Sequence, residues 1–154
     1  MTQTRTFEDL FKMHRDEVPV PKRIPRGNYV VVCRGVSKRA PKTEDKNGLI
    51  SFGYEPFEPT DDVDPNELAA LGENYSIRDD RAWFDMWIKD GRDLNAVFRH
   101  VELHGIDTSE GDLSMLLKLV VNKRLVAYLE PEDYLHPVKG PQFKIKASGF
   151  KAIQ

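Results

Sequence analysis

Short runs of β-branched and aromatic residues, each closed by polar punctuation, set the pattern of this chain. NYVVVCRGV (28–36) reads as a first strand and LISFGYEPF (49–57) as a second, with Ile50, Phe52 and Tyr54 sharing one face. Gly53 offers a place for a bulge. Between the two strands, SKRAPKTEDKNG reads as a long, basic, mobile loop. RAWFDMWIKD (81–90) supplies a third strand, RLVAYLE (124–130) a fourth and QFKIKASGFKAI (142–153) a fifth. Helical spacing takes over at Asp93–His104, where Leu94, Val97, Phe98 and Val101 recur on one side and Gly105 stops the run. A second helix spans about 112–119, and a short one is capped by Asp64 and Pro65 and closed by Gly72. Thr6-Phe7-Glu8-Asp9 opens a short helix through about Arg15, followed by the proline-punctuated lead-in VPVPKRIPRG.

The order β-β-β-α(α)-β-β is that of an OB-fold, a mainly β five-stranded barrel with a helix between strands three and four, and other small barrels share the strand count. We expect two parts: a helix and lead-in over 1–23, and a barrel over 24–154 with an acidic insertion at about 55–80.

The third strand decides what the barrel is for. Alternation places Trp83, Asp85 and Trp87 on one face and Phe84, Met86 and Ile88 on the other. A charged residue at mid-strand is rarely buried, so the indole face is expected outward. Exposed tryptophans there would serve as stacking platforms. Otherwise the N-terminal helix or a second subunit covers them, or Asp85 lies at a strand end and the indoles are core.

Charge sharpens this. With 23 Lys+Arg and 25 Asp+Glu the chain is nearly neutral, yet the signs are segregated. Lys22 to Lys42 holds Lys22, Arg23, Arg26, Arg34, Lys38, Arg39 and Lys42 and no acid; residues 55–80 hold nine acids against Arg78 alone. The end is basic again, and Lys144 and Lys146 alternate with Ile145, so both face away from the core. Cations for phosphates with aromatic platforms for bases is the combination used in sequence-tolerant single-strand binding. The candidate DNA-binding residues are therefore Arg34, Lys38, Arg39, Lys42, Phe52, Tyr54, Trp83, Trp87, Lys144 and Lys146.

The run from IPRGNYVVVCRGV to PQFKIKASGFKAI, with Pro25, Gly27 and Tyr29 leading strand one, Gly105 ending the helix and Phe143–Ile153 closing the fold, resembles OB-fold single-stranded-DNA-binding proteins encoded by tailed phages. The resemblance covers residues 24–153. It implies non-catalytic coating of single-stranded DNA in phage replication, recombination or repair, in the host cytoplasm. Replication or recombination proteins and a second copy of the chain are further partners it leaves open. The acidic C-terminal tail of many such proteins is absent from GFKAIQ, and the acids sit at 55–80 instead. There they form a partner site, a gate over the basic groove or a solvated loop. The alternative reading is a protein-interaction module, a virion or assembly component using the aromatic face.

Other chemistry finds little support. His100 and His104 are one helical turn apart, a spacing able to hold zinc, but Glu102 does not directly follow the first and no third ligand accompanies them. We expect no metal, no cofactor and no enzymatic activity. Cys33, the single cysteine, alternates with valines as a small core residue and excludes an internal disulfide. No apolar run approaches the roughly 20 residues of a membrane span, and MTQTRTFEDLFKMHR is too polar for a signal peptide. A cytoplasmic protein is expected.

Overall fold

The computed structural model describes residues 22–42 and 47–153, together with Glu8, Phe11 and Lys12. The expected N-terminal helix and most of its lead-in lie outside these residues.

Five strands close a barrel: β1 (Gly27–Arg39), β2 (Gly48–Pro59), β3 (Ala82–Ile88), β4 (Arg124–His136) and β5 (Gly140–Lys151). Their order around it is β1-β2-β3-β5-β4. Neighbours are antiparallel except β3 and β5, which pair in parallel at Ala82–Ile145 and Trp83–Lys146. The fold is thus mainly β and OB-fold-like, as expected. Among residues 22–42 and 47–153, three α-helices punctuate it: α1 (Pro65–Ala69), α2 (Gly91–Leu103) and α3 (Leu113–Leu119).

Alternation fills the interior. Tyr29, Val31 and Cys33 from β1, Ile50, Phe52 and Tyr54 from β2, Leu125, Ala127 and Leu129 from β4, and Ile145 and Ala147 from β5 are all buried. The Pro-x-Gly-x-Tyr lead-in closes on itself, because buried Tyr29 donates its hydroxyl to the carbonyl of Pro25 at 2.6 Å. Helix α2 begins at a capping box of Asp90 and Asp93 and sends Val97, His100 and Val101 into the core. It ends before Gly105, which sits at φ 82°, in the left-handed region glycine adopts without strain.

The basic loop is shorter than expected. Ser37, Lys38 and Arg39 continue β1, opposite Ser51, Ile50 and Leu49. A bulge is present, but the extra residue is Arg34 on β1, skipped between the pairs Cys33–Tyr54 and Gly35–Gly53. The last hairpin is longer than the apolar pattern suggests, since β4 and β5 stay paired out to His136–Gly140. Pro131 is tolerated there because β4 leaves β1 at Leu129 and has only β5 as a neighbour beyond it.

Candidate nucleic-acid interface

The outer face of β3 is built by register. Gly53, Ser51 and Leu49 of β2 lie beside Trp83, Asp85 and Trp87, and Gly35, Ser37 and Arg39 of β1 lie beyond them. Each indole therefore heads a transverse row. Trp83 and Trp87 are 50% and 53% exposed, while Phe84, Met86 and Ile88 on the reverse face pack against the core. The described residues thus place the indoles outward, as Asp85 suggested.

Glycine makes room for the first indole. A Cβ on Gly53 would stand 2.9 Å from Cζ3 of Trp83, so the ring lies directly across that backbone. Two open grooves flank it. One, of about 330 Å³, is lined by Arg34, Gly35, Val36, Gly53 and Arg81. The other, of about 360 Å³, is lined by Phe84, Asp85, Glu132, Lys144 and Lys146. Trp83 forms the wall between them.

Cations border this strip on both sides. The Arg39 guanidinium stands 5.6 Å from the Trp87 ring centroid. The bulge turns Arg34 outward, where Glu55 holds it at 3.0 Å and Asn122 at 2.8 Å. Glu55 also reaches Arg81 at 3.8 Å, so one carboxylate steadies two arginines and the trio keeps a net positive charge. On β5, Lys144 and Lys146 lie opposite Glu132 and Glu130 in register. No ion pair within 4.0 Å engages either lysine among the described residues.

Four sequence candidates fall elsewhere. Phe52 and Tyr54 point into the barrel and are fully buried, so they cannot stack a base; the polar positions Ser51, Gly53 and Glu55 form the outer face of that strand instead. Lys38 is displaced by the extension of β1: alternation puts it opposite Ile50, and it reaches Ser114 of α3 at 3.2 Å, away from Arg39. Lys42 is exposed, with no described contact to the face. Arg81 was missed, although it lies two residues before Trp83 and shares its side of the strand. Also missed were Arg78 and Arg124, which lie 3.9 and 4.2 Å from the Phe57 ring centroid and occupy that aromatic.

Inside the barrel, the two histidines answer to Tyr54. His104 Nδ1 lies 2.9 Å from the carbonyl of His100 and must donate to it, which leaves Nε2 an acceptor. The Tyr54 hydroxyl accordingly donates to His104 Nε2 at 3.0 Å and accepts from His100 Nε2–H at 2.7 Å. Burial, with a smaller contribution from His104, pushes His100 down to about 3, and burial lowers His104 as well. Burial raises the Tyr54 phenol far above its ordinary value and the Cys33 thiol to about 11. The chain His100–Tyr54–His104 is neutral and closed on itself. No group of three His, Cys, Asp or Glu side chains among the described residues is placed to hold a metal ion.

Three acids of the segment at 55–80 have structural partners. Asp62 accepts from Thr60 Oγ1 and from the backbone and side-chain nitrogens of Asn28, and these bonds hold its carboxyl below the usual range. Asp64 caps α1, and Asp80 accepts from the Tyr75 hydroxyl. Val63 and Leu71 of the same stretch are buried in the core with Ile24.

No protein-family model matches the chain, and no curated protein matches its sequence. No helix among the described residues is long and apolar enough to cross a membrane.

Proposed function

We propose that this chain binds single-stranded DNA without catalysis, through the outer face of β3. One observation carries the reading: two half-exposed indoles share a strand face bordered by Arg34, Arg39 and Arg81 on one side and Lys144 and Lys146 on the other. Stacking a base on such a ring contributes about 1–3 kcal/mol whatever the base. Phosphates tracking the flanking cations add the salt-dependent remainder. The resemblance over residues 24–153 supports a place in phage DNA replication, recombination or repair, acting in the host cytoplasm beside replication or recombination proteins. No cofactor is needed for such a role.

The test is a titration of the full chain with a labelled mixed-sequence single strand and with the same sequence as a duplex. Binding of the single strand that weakens steeply with salt, and much weaker binding of the duplex, is expected. Absence of single-strand binding at low salt would reject the reading.

A second reading is a protein-interaction module, a virion or assembly component. It draws on the tip of the β4–β5 hairpin, where Leu135 and Val138 are 76% and 87% exposed. It requires a salt-insensitive oligomer that buries Trp83 and Trp87, which size-exclusion chromatography with and without oligonucleotide distinguishes.

A further inference from the structure

The strip between the two indoles carries an acid where a surface made only for phosphate would carry none. Asp85 is exposed on the same face as Trp83 and Trp87. Four residues of strand span about 13 Å, so Asp85 stands roughly 6–7 Å along the strand from either ring. Ser51, its neighbour in register, donates its hydroxyl to Oδ1 at 2.6 Å and fixes the carboxylate. No other hydrogen bond or ion pair of Asp85 is present among the described residues, which leaves acceptor capacity facing solvent.

Charge placement fixes what can lie over it. A phosphate above Asp85 would meet like charge, whereas the cations stand to either side: Arg39 across β2 in the row of Trp87, and on β5 Lys146 beside Trp83 with Lys144 two residues before it, across from Glu130 and Glu132. The backbone of a bound strand therefore belongs on the flanks, with its bases over β3. Unpaired bases present their Watson–Crick edges. An ionised carboxylate only accepts hydrogen bonds. Cytosine offers an exposed amino donor at N4, while thymine carries the acceptor O4 there and its one donor, N3–H, lies between O2 and O4, whose oxygens repel a carboxylate. The two pyrimidines share one ring size, so they differ chiefly at that edge.

We propose that Asp85, held by Ser51, is a base-selecting residue that makes this face prefer cytosine over thymine. This rests on the single-strand reading above and adds to it a sequence preference that stacking and phosphate contacts do not supply.

Fluorescein-labelled oligo(dC) and oligo(dT) of equal length, about twelve nucleotides to fill an OB-fold site, are titrated into the full chain at neutral pH and low salt. Both wild type and Asp85→Asn are measured. Oligo(dC) is expected to bind roughly three- to tenfold more tightly, the contribution of one net hydrogen bond. In Asp85→Asn, whose amide both donates and accepts, the ratio is expected to fall to about one. The variant is isosteric and exposed, and matching circular dichroism spectra establish that it folds. Equal wild-type affinities, or a cytosine preference unchanged in Asp85→Asn, would overturn the role of Asp85 while single-strand binding stands. Failure of both oligonucleotides to bind wild type would overturn the two readings together.

Discussion

Two aromatic clusters lie back to back across β2 and β3. Inside, Phe52 and Tyr54 stack against His104 and meet His100 edge-on, the Phe52 and His100 ring centroids being 4.6 Å apart. Every buried side-chain nitrogen and oxygen among the described residues has a partner. Outside, Trp83 and Trp87 lie with Arg39 and Asp85, half exposed and incompletely engaged. Residue chemistry is similar in the two clusters: large rings with a few polar groups. Strand parity separates them, assigning one cluster to the closed interior and leaving the other exposed on the surface. Unmet stacking area and acceptor capacity, rather than aromatic content, mark a surface for binding.

The contrast is broken most strongly from the inside. Phe52→Ala removes a fully buried ring at the centre of the interior cluster and is expected to destabilise the fold by about 3–5 kcal/mol, measured by urea unfolding. Trp83→Ala, on the other side of the same strand pair, should shift the urea midpoint less, because half of the residue is already in water.

Acid attacks the same interior cluster. His100 is held well below its ordinary value in the fold, so the unfolded chain takes up that proton first. Its stabilising contribution is complete above about pH 6.5 and is lost as the pH falls towards about 3, at about 1.4 kcal/mol per pH unit for one such group. Lowered His104 acts in the same direction. Thermal unfolding scanned from pH 7 to 4 should therefore show a falling midpoint before most carboxylates protonate. Tyr54→Phe leaves two buried ring nitrogens without their shared partner, at a cost of about 1–3 kcal/mol at neutral pH.

On the outer face the effects appear in binding. Trp83→Ala should lose about 1–3 kcal/mol of single-strand affinity, one stacked base, with the salt dependence retained. Lys146→Ala should do the reverse and on a smaller scale: a modest loss of affinity, with the slope of log K against log salt shallower by about 0.7 for one phosphate contact. A titration over several salt concentrations separates the two.

Much of this was legible in the sequence, and the misses have two causes. Asp85 at the centre of RAWFDMWIKD announced which face of β3 is wet, because a mid-strand acid resists burial. Phe52 and Tyr54 obey the same alternation, and Ser51 and Glu55 mark the opposite side as the polar one, so local parity alone excludes both rings from the binding face. Lys38 moved because pairing with β2 carries β1 three residues past its apolar run, a matter of register that no local pattern encodes. The bulge at Arg34 is likewise a property of two strands together. EPEDYLH (130–136) is too polar to read as strand and is held there by β5. The hydroxyl of Tyr54 gave the pair His100–His104 a purpose that helical spacing alone could not reveal.

The claim that Trp83 and Trp87 are open platforms for unpaired bases is tested most directly by their own fluorescence. Mixed-sequence single-stranded DNA, titrated into the chain at low salt, should quench and saturate the indole emission, and added salt should restore it. Emission that stays unchanged across the titration would contradict the account.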